Sequence, residues 1–167
     1  MRTISAIDMT EAAFREYGTY ADLYDPEQYK KNGGQLKFFR ELAILNLGHE
    51  TNVAFSMLRV RKSDCVVRET EYHPTTGEGL LILDGDVYIH VSRPSDDYWS
   101  AAENMEIFRV KSGTMVCLRP GVWHYEPMPI DKDLVNIVIM LPERAYSNDT
   151  KFITLPEEYY FAIETEK

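Results

Sequence analysis

The chain has 167 residues, 27 of them acidic and 18 basic, for a formal net charge of −9. That length supports one ordinary domain with a core of its own, and the acidic balance excludes a nucleic-acid binder, whose partner's phosphates need a basic footprint. The densest basic run, Arg59-Val60-Arg61-Lys62, is too short to change this, so any small acidic substrate needs a local cation.

The opening, Met1 to Asp8, lacks the long apolar core of a secretory signal. Asp8 followed by Glu11 has the spacing of a capping box and predicts a short N-terminal helix that stops at Gly18. Thr19 to Gly34, rich in Tyr, Asp, Pro and Gly, reads as an ordered loop. From Val53 the pattern changes to short β runs, predicted over Val53–Arg61, Cys65–Glu71, Gly79–Leu83, Val87–Ser92, Glu106–Val110, Thr114–Leu118 and Leu134–Leu141. Turn sequences rich in Gly, Pro, Asp and Ser separate them. Seven such strands without intervening helices predict an all-β fold, an antiparallel sandwich or barrel. Pro94 to Asn104 reads as a polar insertion. Beyond Pro142, Phe152–Leu155 and Tyr159–Ile163 add strands that would cover an edge or a partner subunit. The expected organisation is one domain over 1–167, with an N-terminal helix and arm (1–50), a barrel core (51–142) and a C-terminal extension (143–167). The two arms predict a homodimer.

The longest apolar run, Ile137 to Leu141, is too short to cross a bilayer, so no membrane partner is expected. Cys65 and Cys117 lie in strand-like runs without a Cys-x-x-Cys spacing and read as buried, inert thiols. A cytoplasmic protein follows.

The chemistry concentrates in Glu69-Thr70-Glu71-Tyr72-His73-Pro74, Glu78 and Val122-Trp123-His124. Strand alternation puts Glu69, Glu71 and His73 on one face. Such a face meets water or lines a polar cavity, and the later Glu78 and His124 favour the cavity. Imidazoles and carboxylates suit Zn, Mn, Ni or Fe, or work as acid–base groups without metal. Arg59, on another strand, could face the same cavity and hold a carboxylate with its planar fork. Its strand neighbours Phe55 and Met57 would form the apolar floor. Trp123 reads as a pocket wall, and Tyr125 as a group that either donates a hydrogen bond to the pocket or packs. His90 reads as a satisfied or exposed strand residue.

Glu71-x-His73, four residues, Glu78, six residues and Gly85 resemble the first cupin motif, with Glu71 in place of its leading His. Gly113 through Pro120-Gly121-Val122-Trp123-His124 resembles the second. A narrower resemblance is to the bacterial ureidoglycolate lyase family. It is carried by Phe14-Arg15-Glu16-Tyr17-Gly18, Asn32-Gly33-Gly34 with Leu42-Ala43, Glu69-Thr70-Glu71-Tyr72-His73-Pro74 and Val122-Trp123-His124. Arg59 also falls where that family has an Arg. The chain departs from the family at Glu78, where Gln is frequent, at Tyr125, where a second His is found, and at Leu141-Pro142, which replaces Asp-Arg.

The resemblance implies a cupin-type, jelly-roll-like barrel and cleavage of a small ureido hydroxy acid to glyoxylate and urea, a step of allantoin and purine breakdown. It implies Glu71 or Glu69 as base and Arg59, Trp123 and Tyr125 as substrate-binding residues. His73 and His124 would be acid–base groups, or metal ligands together with Glu78 and Glu71. Two other readings stay open: another metal-dependent cupin enzyme, an isomerase or dioxygenase acting on a small acid or sugar, and a non-catalytic small-molecule binder.

Overall fold

The structure, a computed structural model, describes residues 1–26 and 38–164 and the backbone of 31–32. The Asn32-Gly33-Gly34 segment lies largely outside the described residues. In chain order the elements are β1 (Arg2–Asp8), α1 (Glu11–Phe14), β2 (Gly18–Asp22), β3 (Lys31–Asn32), β4 (Phe38–Phe39), β5 (Val53–Arg61), β6 (Val66–Val67), β7 (Glu69–Tyr72), β8 (Gly79–Ile82) and β9 (Val87–Ser92). There follow α2 (Tyr98–Glu103), β10 (Glu106–Val110), β11 (Thr114–Leu118), β12 (Trp123–His124), β13 (Met128–Pro129), β14 (Leu134–Pro142), α3 (Ala145–Asn148), β15 (Lys151–Thr154) and β16 (Phe161–Glu164).

The protein is mostly β. A five-stranded sheet runs β2-β11-β8-β14-β5, and a larger, curled sheet runs β15-β7-β12-β9-β10-β1-β16-β6, with β13 also on β9. Together they form a half-barrel, in keeping with the cupin-type barrel that the resemblance implies. Alternation explains the layers. Val87, Ile89 and Val91 of β9 join Leu80, Ile82, Val116 and Ile137 in a core between the sheets. Tyr88, on the other face, joins Trp123, Ile107, Val67 and Phe161 in a second core. All six β9 positions are buried, because each face of the strand packs on a separate core.

Several elements differ from expectation. The helix is a single turn, and its N-cap is Thr10, whose Oγ1 accepts from the Ala13 N–H, rather than Asp8. Its buried Phe14 packs edge-on against Phe108 at 5.3 Å, a burial that contributes about 1.5–3 kcal/mol. Asp8 instead ends β1, which runs parallel to both β10 and β16, so the barrel is not wholly antiparallel. Part of the expected loop after Gly18 is β2, paired with β11. The insertion carries α2, capped by the Asp97 carboxylate on the Trp99 N–H. The C-terminal strands close this chain's own sheet: β15 pairs with β7, and β16 with β1 and β6.

Candidate metal centre

Four side chains converge at one end of the inter-sheet core. Glu71, on β7, lies opposite His124, on β12, and His124 lies opposite Val91, on β9. Val91 belongs to the inter-sheet core, so Glu71 and His124 point into it. His73 follows β7 on the same face, and Glu78 precedes β8. One ligand atom from each of Glu71, His73, Glu78 and His124 can be chosen so that all lie within 4.8 Å of one another. His73, Glu78 and His124 are buried, and Glu71 is half-buried.

The two motifs are locked together by their backbones. Gly121 has φ of +79°, which places it in the left-handed region open to glycine. Its N–H donates to the His73 carbonyl at 2.8 Å, so the Pro-Gly turn carrying His124 sits directly on the loop carrying His73. Gly77 is needed for close approach, since a Cβ there would lie 2.3 Å from the Leu118 carbonyl oxygen.

The hydrogen bonds assign the tautomers. His124 Nδ1 donates to the Val122 carbonyl at 2.8 Å, and His73 Nδ1 to the Asp149 carbonyl at 3.0 Å. Both acceptors are carbonyls, so both Nδ1 atoms carry hydrogen. Thr150 Oγ1, 3.2 Å from His73 Nδ1, donates onward to Ala145 O. The two Nε2 atoms therefore face the same Glu78 Oε2, at 2.9 Å from His73 and 3.3 Å from His124. Lone pairs aimed at an anionic oxygen repel unless a proton or a cation lies between them. Backbone acceptors that fix Nδ1–H and free Nε2 are the usual outer support of a metal-bound histidine. The donor set fits a divalent ion.

The carboxylates differ in proton affinity. Burial alone would raise the Glu78 carboxyl, but His124 and His73 outweigh it and hold it at about 2. Burial raises Glu71, with Glu78 adding to the rise and the two imidazoles opposing it. For His124, burial favours the neutral ring, yet the Glu78 charge and hydrogen bond lift its proton affinity above the ordinary value. A metal ion must displace that proton. Metal affinity is therefore expected to fall on acidification, by about tenfold per pH unit for each proton displaced. Titrating the metal-free protein with Mn(II) or Zn(II) between about pH 8 and pH 6 checks this; a flat affinity would show that no ligand proton is lost.

The other expected site residues are placed differently. Glu69 shares the Glu71 face but lies outside the four-residue cluster. Burial, then the charges of Glu69 and Glu71, raises the Tyr125 phenol, and its ring packs on Phe152 at 5.4 Å. Trp123 is not a pocket wall. It precedes His124 in the strand and so faces the second core, with its ring 4.3 Å from Tyr72 and its Nε1 donating to Ser95 O. Arg59 does not reach the cluster either. Leu58 and Val60 are the β5 residues that face the inter-sheet core, so Arg59, Phe55 and Met57 point outward, and Arg59 Nε donates to Asn136 Oδ1 at 2.9 Å. Among the described residues, no Lys or Arg is found among the groups that shift Glu71 and Glu78. His90 is neither exposed nor satisfied: it is 1% exposed, and its Nε2 lacks a partner among the described residues.

Asp149 and Thr150 carry the outer support of His73 and had no motif to announce them. The Asp149 carboxylate accepts from the N–H and hydroxyl groups of both Thr75 and Thr76, at 2.8 to 3.2 Å. Ser147-Asn148-Asp149 signals a turn in sequence, but not which loop that turn would grip.

Fold and site together define a half-barrel protein with a buried centre of two imidazoles and two carboxylates. A family model described as Ureidoglycolate lyase matches residues 1–162. The chain belongs to the ureidoglycolate lyase family. It is similar to the curated ureidoglycolate lyase of Azotobacter vinelandii, 23% identical over 142 residues that cover 83% of this chain and 85% of the relative. It is likewise similar to that of Pseudomonas fluorescens, 24% identical over 135 residues, covering 79% and 80%. Among solved structures it is similar to Bacillus subtilis oxalate decarboxylase, described for its Mn(II) centres, at 17% identity and a TM-score of 0.43. That match covers 64% of this chain and 26% of the other, so the chain spans about a quarter of its length.

Proposed function

We propose that this protein cleaves the C–N bond of ureidoglycolate, releasing glyoxylate and urea. The observation that carries the reading is the convergence of Glu71, His73, Glu78 and His124, with ligand atoms within 4.8 Å of one another, and inside it burial raises Glu71 while the imidazoles hold Glu78 low. Groups pushed apart in this way divide into charge carrier and acid–base group. Glu78, His73 and His124 would hold a divalent ion such as Zn, Mn, Ni or Fe, with Glu71 able to join them. When bound, that ion supplies the positive charge that an α-hydroxy acid's oxygens need and polarises the hydroxyl. Such a charge would take the place of the clamp expected from Arg59, in a protein whose net charge of −9 repels small acids.

In the chemical step Glu71 takes the proton from the substrate hydroxyl. The oxygen's electron pair forms the carbonyl of glyoxylate, the C–N bond breaks, and the nitrogen leaves as urea after receiving a proton. Glu71→Gln is expected to lower kcat by about 100-fold or more while leaving KM within a few-fold, the pattern of a group used in the transition state. Unchanged turnover would remove Glu71 as the base.

A cytoplasmic setting fits the two buried cysteines, Cys65 and Cys117, which are unpaired. No helix among the described residues is long and apolar enough to cross a membrane. A homodimer rests on a different surface from the arms. Phe55 and Met57, 69% and 58% exposed, stand on the outer face of β5, with Val138 of β14 beside Met57. A contiguous apolar patch of this kind suits a second chain. Light scattering is expected to give a two-chain mass that Met57→Lys reduces to one chain; a one-chain wild type at micromolar concentration would contradict it.

A further inference from the structure

We propose that the cavity beside Glu69 holds the planar ureido group of the substrate, a role that rests on the lyase reading above. The cavity has a volume of about 360 Å³ and lies where the two cores meet, with Val60 of the inter-sheet core and Val67 of the second core both in its wall. The wall also carries Glu69 and Glu126, carboxylates that only accept hydrogen bonds when ionised. Arg68 is spent on Asp64, its Nη1 and Nη2 donating to the two carboxylate oxygens at 3.0 and 2.6 Å. Arg61 is left as the uncommitted cation of the wall among the described residues. Two acceptors and one donor suit a neutral group with N–H on both sides of a carbonyl, as a ureido group has. An anionic group would meet two carboxylates against one free cation. His90 is the independent sign of a ligand. It lines the same cavity, it is 1% exposed, and its Nε2 is buried without a hydrogen-bond partner among the described residues. Such an atom costs about 1–3 kcal/mol while it stays unpaired, and a polar occupant of the cavity supplies the missing partner.

The cavity adjoins the centre along β7 and β15. Phe152 lies opposite Glu71 and Thr154 opposite Glu69, so Glu69 is one alternation from Glu71 on the same face. Thr154 and Tyr125, the residue after His124, line the cavity together with Glu69. Two strand residues rise about 6.6 Å. In a ureido acid the hydroxyl-bearing carbon and the terminal nitrogen stand about 3.8 Å apart, as consecutive Cα atoms do across a trans peptide. A hydrogen bond extends that reach by about 2.9 Å. A substrate whose hydroxyl meets Glu71 therefore brings its terminal NH2 to Glu69. The acid end stays at the four-residue cluster, and the cavity reads the arm that distinguishes ureidoglycolate from a plain hydroxy acid. Glu69 thus binds substrate, and the base role stays with Glu71.

The test compares Glu69→Met and Arg61→Met with the wild type, all loaded with Mn(II). It measures binding of oxalurate, an uncleaved ureido acid, of glycolate, which lacks the ureido arm, and of free urea, alongside ureidoglycolate turnover. Glu69→Met is expected to weaken oxalurate and raise KM for ureidoglycolate by about 10- to 100-fold. Glycolate and Mn(II) affinities should stay within about twofold. Arg61→Met, an exposed change that leaves the core alone, should weaken oxalurate severalfold. Urea that displaces oxalurate from the wild type supports a pocket that also takes the free product, and oxalurate loss in Glu69→Met without urea competition supports one that takes only the attached arm. Oxalurate affinity unchanged in both variants would overturn the assignment. Equal losses of oxalurate and glycolate, or a fall in Mn(II) affinity, would overturn it too, by showing that Glu69 supports the centre. A wild type that binds oxalurate through Glu69 but releases no glyoxylate and urea from ureidoglycolate would sink the lyase reading and keep the pocket. Turnover with an unchanged KM in Glu69→Met would do the reverse.

Discussion

Glu78→Gln is expected to weaken divalent-metal binding by at least ~100-fold and to abolish turnover, the largest effect of any single change at the centre. Glu78 is the group on which both Nε2 atoms converge, and it is 5% exposed. Its loss also changes the imidazoles. Without the Glu78 charge, burial dominates at His124 and its proton affinity should drop below the ordinary value, a shift readable by NMR. Stability follows the same charge. Because the folded carboxyl sits at about 2, below its model value of 4.5, the metal-free wild type gains stability above the unfolded value and loses it as pH falls through the folded one. The contribution is about 3 kcal/mol. Glu78→Gln should lack that pH-dependent component between about pH 4.5 and pH 2 in urea unfolding. Retained metal affinity in Glu78→Gln would remove Glu78 from the centre.

Asp149→Ala should produce the second large effect, although Asp149 touches no substrate in this account. Its carboxylate serves the backbone N–H and side-chain hydroxyl of two successive residues, Thr75 and Thr76, between His73 and Glu78. Hydrogen bonds to a charged acceptor contribute about 1.5–3 kcal/mol each, but these act as a unit, so a loss of about 2–4 kcal/mol is expected. The loop carries two ligands, and loosening it should reduce metal affinity by about 10- to 100-fold. Asp149→Asn keeps the shape but turns an NH2 group toward donors, so it should recover only part of both losses. Denaturant unfolding with metal titration on the same samples checks this. A stable Asp149→Ala variant with intact metal affinity would show that the loop holds its shape unaided.

The clustering of Glu71, His73, Glu78 and His124 is legible in the sequence because its signal is local. Glu71, His73, Glu78, Gly121 and His124 sit at spacings set by short strands and tight turns, and β9, β10 and β11 fall where alternation and turn residues put them. What escaped depends on long-range partners. β1 is stabilised by parallel neighbours about a hundred residues or more away, Ile107–Arg109 on one side and Phe161–Glu164 on the other, and nothing within Arg2–Asp8 announces them. The sequence points Arg59 inward, because Phe55 and Met57 share its face and look like core. In β5, however, Leu58 and Val60 take the inner face, and the apolar pattern is two-sided. The orientation of Trp123 is implicit in the sequence, since a residue next to His124 in a strand must point the other way.

C–N lysis is tested most directly by incubating the metal-loaded protein with ureidoglycolate and quantifying glyoxylate, urea and ammonia in the same sample. Glyoxylate and urea are expected in equal amounts with no ammonia, and both products should be lost when Glu78 is replaced by Gln. Ammonia in place of urea would mean hydrolysis of the ureido group instead of C–N lysis. Absence of urea from a sample shown to contain stoichiometric metal would contradict the assignment outright.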